Sequence, residues 1–169
     1  MLLSFALWVQ STEFLTYLRG SSYAYPAILS LHMLAIALFG GMILMTDLRL
    51  LGWAMSSRSV SDVVDQLRVP KRIGFVVAAT CGILLACCKA EEYYYNAFFW
   101  TKMSLLTLVG VHALAFRGSV YNRAAELDHA PQVPGRAKLA ASLSLLLWIS
   151  IACAGRGIGY IEAPFGIHA

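Results

Sequence analysis

Pro26-Ala-Ile-Leu-Ser-Leu-His-Met-Leu-Ala-Ile-Ala-Leu-Phe-Gly-Gly-Met-Ile-Leu-Met-Thr46 decides the fold class. The run holds no charged residue and stops at Asp47-Leu48-Arg49. As a helix rising 1.5 Å per residue it is about 30 Å long, the thickness of a bilayer hydrocarbon core. Pro26 suits a first helical turn, where a missing N–H costs little. The stretch reads as a membrane span over about 26–46.

Beyond it lies a polar loop with Arg49, Arg58, Arg68, Lys71 and Arg72. Ser59-Val-Ser-Asp62 resembles a capping box and predicts a short surface helix to Leu67, ended by Pro70. Further apolar runs predict spans over about 73–90, 98–116 and 139–161, the last if Arg156 is held inside it. Lys89, Glu91, Glu92 and Tyr93-Tyr94-Tyr95 follow the second span, and consecutive tyrosines fit an interfacial aromatic belt. Arg117, Arg123, Arg136 and Lys138, with Pro131 and Pro134 as breakers, follow the third.

Upstream of Pro26, Met1–Arg19 reads as an amphipathic helix. Leu2, Phe5, Val9, Leu15 and Leu18 share one side, Ser4, Ser11 and Glu13 lie elsewhere, and Gly20-Ser21-Ser22 ends it. It lacks the basic n-region and A-x-A site of a signal peptide, so it is expected to lie in the membrane interface. The expected architecture is an all-α membrane protein: a four-transmembrane-helix bundle with an N-terminal interfacial helix, forming a single membrane domain over residues 1–169.

Composition agrees. The chain is 59% apolar and 13% charged, against about 25% charged in soluble domains. A net charge of +4 without a Lys/Arg cluster among aromatics excludes a nucleic-acid surface. Cys81, Cys87, Cys88 and Cys153 all sit in apolar runs, which excludes a secreted disulfide framework. Hydrolase, phosphate-loop and zinc-protease motifs are absent. The basic residues follow spans one and three, so the positive-inside rule makes those loops cytoplasmic and both termini periplasmic, in a bacterial inner membrane.

Ionisable residues within spans are functional candidates, because lipid makes them costly. His32 lies about 9 Å inside the outer boundary, Lys102 about 6 Å and Arg156 about 7–8 Å. Three helices thus place an imidazole and two cations in one outer layer. Haem b is one ligand for such a layer: the imidazole of His32 ligates the metal and the cations meet the propionates. A quinone head group or an anionic lipid is another, and snorkelling cations with a hydrogen-bonded histidine is a third. His112 lies about 21 Å from the outer side, too deep to share one iron with His32. It is expected to hold a second haem or to bond Asp47. Cys87, Cys88, Cys153, Met103 and His32 also admit a copper reading, since soft ligands select Cu(I).

Three stretches resemble an uncharacterised bacterial family of small inner-membrane proteins. They are Tyr25-Pro26 through His32 to Asp47-Leu-Arg-Leu-Leu-Gly52; Asn96 through Lys102-Met-Ser-Leu-Leu106; and Trp148 to Gly155-Arg156-Gly-Ile-Gly-Tyr160. More distantly, the order His32, Gly41, Arg49, Lys102, His112 is similar to HemJ-type protoporphyrinogen oxidases, with CopD-like copper-resistance proteins sharing the layout. HemJ-type chains usually carry a further histidine after the first span, and this chain has Trp53 nearby. The resemblance implies a haem site with His32, Lys102 and His112 among its binding residues, and the shared outer layer adds Arg156. The function expected is electron transfer in the outer half of the bilayer, with quinone or a periplasmic redox protein as partner. The competing expectation is an accessory subunit of a larger membrane complex or homo-oligomer.

Overall fold

The computed structural model describes residues 1–118, 120, 122, 124–128 and 133–160. Among them the order is α1 (Leu2–Gln10), α2 (Glu13–Gly20), α3 (Ala24–Leu51), α4 (Val60–Cys88), α5 (Ala90–Tyr94), α6 (Ala97–Arg117), α7 (Ala124–Asp128) and α8 (Gly135–Ile158). α3, α4, α6 and α8 are each long and apolar enough to cross a membrane. The chain is therefore an all-helical, multi-pass membrane protein with the expected four spans. His129, His168, Arg123, Pro131 and Ile161 lie outside the described residues.

α3 and α4 form one antiparallel hairpin, α6 and α8 a second, and α3 packs on α8 to join them. α4 and α6 end this series and share no extensive contact. Most of each spanning helix is exposed, including Leu29, Leu34, Leu38, Leu108, Leu114, Leu146 and Ile149. In lipid these side chains have apolar solvent, so burying them is not what joins the helices. Small residues let the helices approach: Ala137, Ala140, Ala141, Ser144 and Ala154 share the buried face of α8 with Leu147 and Ile151.

At the basic end, Leu50, Val60, Val64, Val120, Ala124 and Leu127 close over that alanine face. α3 runs five residues past Thr46 before Gly52, at φ 77°, ends it in the left-handed region that glycine tolerates. At the tyrosine end, Leu15 and Leu18 of α2 cover the fully buried Cys88. Arg19 Nη1 donates to the Cys88 carbonyl at 3.3 Å, which satisfies an orphan acceptor at the end of α4.

Two expectations are corrected. Met1–Arg19 forms two helices, because the Ser11 and Thr12 hydroxyls turn back to the Trp8 and Val9 carbonyls at 2.8 and 2.9 Å. α1 buries no residue, and Phe5 and Trp8 remain exposed, whereas α2 buries Leu15 and Leu18. Pro70, expected to end a surface helix, lies inside α4. The helix continues because Val60, Val63 and Val64 before the proline and Ala78, Cys81 and Leu85 after it are all buried. The carbonyl freed by Pro70 belongs to Gln66, an exposed residue where solvent or head groups can satisfy it. The second span therefore lengthens toward Val60, whereas the expected extension was toward Ala90.

Candidate functional site

Near the tyrosine end, all four spans contribute to one layer. His32 of α3 is half-buried and presses its imidazole against α4 at Gly82. A Cβ built on Gly82 would stand 2.8 Å from His32 Cε1. Glycine is thus required for the ring to lie where it does. The Nδ1 atom of His32 is buried and has no hydrogen-bond partner of its own, while the ring as a whole also interacts with the Ala78 backbone of α4. Buried polar atoms are nearly always satisfied, so an orphaned imidazole nitrogen marks a position with binding capacity.

Lys102 of α6 enters the same layer. Its ammonium acts electrostatically on His32. Its stem crosses α8 at Gly155, where a Cβ would meet Nζ at 3.6 Å and Cε at 3.8 Å. Among the described residues Lys102 has neither an ion pair nor a hydrogen bond. The glycines on α4 and α8 make room, and the histidine and lysine on α3 and α6 supply the functional groups.

The sequence around Lys102 fixes its height. Asn96 caps α6, its side chain accepting from Phe98 N at 2.9 Å and Phe99 N at 3.2 Å. Asn96 is itself buried, and its Nδ2 donates to Ile158 O at 3.4 Å. One residue thus starts α6 and ties that start to the end of α8. Phe98 lies on Gly157, where a Cβ would come within 2.6 Å of Cδ1. Tyr93 stacks on Phe99 at 5.2 Å, and Trp100 Nε1 donates to Tyr94 O at 2.9 Å.

Arg156 stands at the rim of this layer. It is exposed, donates to the hydroxyl of Tyr160 and lies 4.6 Å from the centroid of that ring. Its neighbour Gly155 faces Lys102, and successive helical residues point about 100° apart, so Arg156 is directed away from the pair. Depth brings the two cations and the imidazole to one end of the bundle; helical azimuth brings only His32 and Lys102 together.

His112 is buried elsewhere. Its Nε2–H donates to Ala140 O at 3.0 Å and its ring packs on Phe116 at 4.9 Å, which clasps α6 to α8. The partner is this alanine carbonyl; Asp47 was the partner anticipated. Ten residues separate His112 from Lys102, about 15 Å along the helix.

A second polar group escaped the sequence reading. Asp47 of α3 is 1% exposed, although it reads as the charged stop of span one. Thr46 and Ser144 are buried beside it, and Lys71 Nζ donates to Thr46 Oγ1 at 2.9 Å. The signal was available in Leu48, Leu50 and Leu51, which carry the apolar pattern past Asp47. Between the two polar layers Phe39 packs on Phe75 and edge-on to Trp148 at 5.2 Å.

The four cysteines are free and spread, from fully buried Cys88 to exposed Cys153. Among the described residues no group of three or more His, Cys, Asp or Glu is placed to hold a bare metal ion.

Comparison with known proteins yields one match. A family model described as "Family of unknown function (DUF6644)" matches residues 5–161. No curated protein and no solved structure matches. The likeness to an uncharacterised family is thereby borne out, while no similarity to HemJ-type or CopD-like proteins is found. Since the match covers nearly the whole chain, from the helix before the first span to the end of the last, the protein belongs to this family of unknown function, DUF6644.

Proposed function

We propose that this protein binds haem b near the tyrosine end of its bundle and moves electrons there. In this reading the His32 imidazole would hold the haem iron and the Lys102 ammonium would face a propionate. The observation that carries it is the orphaned, buried Nδ1 of His32 beside an unpaired ammonium. Haem would need only an imidazole from this layer, because the porphyrin brings its own four nitrogens to the iron. A cluster of three protein ligands, which a bare metal ion would need, is not required. When bound, haem supplies one-electron chemistry.

The chain's own contribution is orientation and charge. Packing against Gly82 fixes the imidazole plane. The Lys102 ammonium offers an anionic substituent a charge-assisted hydrogen bond inside an apolar surround, where such bonds are strongest. Arg156 at the rim is the nearest further cation on α8 for a second carboxylate, once released from Tyr160. Quinone from the bilayer or a periplasmic redox protein is the electron partner, with both termini on the periplasmic side of an inner membrane.

The same pair favours a quinone head group as a second reading. An imidazole nitrogen and an ammonium near each other suit two carbonyl oxygens of one ring. Neither the accessory-subunit reading nor the copper reading has an observation of this kind behind it. The test is haem stoichiometry after expression with haem precursor. About one haem per chain is expected for one axial histidine. In that preparation Lys102→Gln lowers retention on washing but keeps the spectrum. Folded, colourless wild-type protein that protects ubiquinone analogues from extraction would replace haem with quinone.

A further inference from the structure

The basic end of the bundle holds a carboxyl with no use in the reading above. Asp47 is the one buried carboxyl among the described residues. Its Oδ2 atom has no hydrogen-bond partner. Three helices surround it. From α8, Ser144 faces it as a hydrogen-bond partner. From α4, Lys71 acts on it electrostatically, and Arg68 acts in turn on Lys71. Arg68 itself is paired with Asp65 at 2.7 Å. On α3, Thr46 accepts from Lys71 and donates to Met42 O at 3.0 Å.

Lys71 and Asp47 therefore share a buried site without forming an ion pair. The described ion pairs are Arg68–Asp65 and Lys89–Glu92. An ionised carboxylate with an unsatisfied oxygen in an apolar bundle is costly, and contact with a cation is the usual remedy. Here the ammonium is engaged by Thr46. Taking up a proton is the other remedy available to a carboxylate.

We propose that Asp47 is a proton-binding site, loaded and unloaded from the aqueous phase at the basic end. The proton binds a carboxylate oxygen of Asp47 to give the neutral acid and leaves by the same route, with Lys71 as the charge that opposes loading. No other bond changes. Asp47 lies one turn from the end of α3 at Leu51, next to the segment with Arg58 that joins α3 to α4, so the route for the proton is short. The Phe39–Phe75–Trp148 packing separates the site from His32, about 22 Å away along α3. This inference stands whether or not haem is bound.

Infrared spectroscopy of the full chain in lipid vesicles tests it, titrated from about pH 5 to about pH 9, a range in which exposed carboxyls are ionised. The expected signal is a protonated-carboxyl C=O band that shifts in D2O, fades with rising pH and is missing in Asp47→Asn. Lys71→Met is expected to move the fading midpoint up by roughly one pH unit or more, since a nearby cation favours the ionised form. Ser144→Ala keeps the carboxyl and raises the band's frequency by removing its hydrogen bond, so the assignment survives if Asp47→Asn fails to fold. No protonated-carboxyl band at any pH overturns the proposal. So does a band that neither Asp47→Asn nor Ser144→Ala moves.

Discussion

His32 and Gly82 are fitted to each other: the imidazole of α3 occupies the space that any side chain on residue 82 would need. Gly82→Ala is expected to turn the ring away while leaving the helices formed, because the clash is with the far edge of a side chain. Ligand retention should fall several-fold with little change in helicity by circular dichroism. Gly155→Ala is the control. Its added methyl meets Lys102 at ordinary contact distance, 3.6 Å from Nζ, and should leave retention near wild type.

Asn96 has two duties, capping α6 and holding α8. Asn96→Ala should cost about 1–2 kcal/mol from the cap alone, seen as a lower unfolding temperature in detergent. Asn96→Asp keeps an acceptor for Phe98 N and Phe99 N but loses the donor to Ile158. Its loss should be the smaller of the two. Equal loss would mean that the Ile158 contact dominates.

The start of α4 predicts an acid-sensitive stability. The Asp128 carboxylate accepts from the N–H groups of Val60 and Ser61, where helix partial charge is positive. Partial burial acts to raise its pKa. Hydrogen bonds from the Ser61 side chain and the two N–H groups, with the Arg49 charge, outweigh that and hold it below the ordinary carboxylate value. A depressed folded-state pKa means stability that is complete above the unfolded value and lost as pH falls through the folded one. Wild type should therefore lose this contribution only below about pH 4. Asp128→Asn should be less stable than wild type at neutral pH, with the gap closing in acid. A gap constant with pH would contradict the assignment.

His112→Ala removes a clasp between helices and no ligand. A loss of about 1 kcal/mol is expected, the scale of one hydrogen bond between membrane helices. Haem content should be unchanged. A halved content would place a second haem at His112.

Much of this was legible in the sequence, for reasons that also mark where legibility ends. Four spans follow from unbroken apolar runs, since lipid permits little else. The meeting of His32 and Lys102 at one height follows from counting residues from the ends of their spans. Arg156 satisfies the same count, yet its direction depends on which face of α8 meets α6, and α8 is apolar all round. Asp47 reads as a terminus because a lone chain cannot show that Thr46, Lys71 and Ser144 come from three helices to receive it. Pro70 reads as a stop for the same reason: the packing of Val63, Val64 and Ala78 on their neighbours carries the helix through. The break at Ser11-Thr12 was within reach, as paired hydroxyl residues there compete for backbone carbonyls.

The most direct test of the central claim compares wild type with His32→Ala, purified identically and matched for helicity. The measurement is the dithionite-reduced minus oxidised absorbance spectrum. A Soret difference band in wild type that vanishes in His32→Ala is the predicted result. The same band in both proteins, or in neither, would contradict ligation by His32.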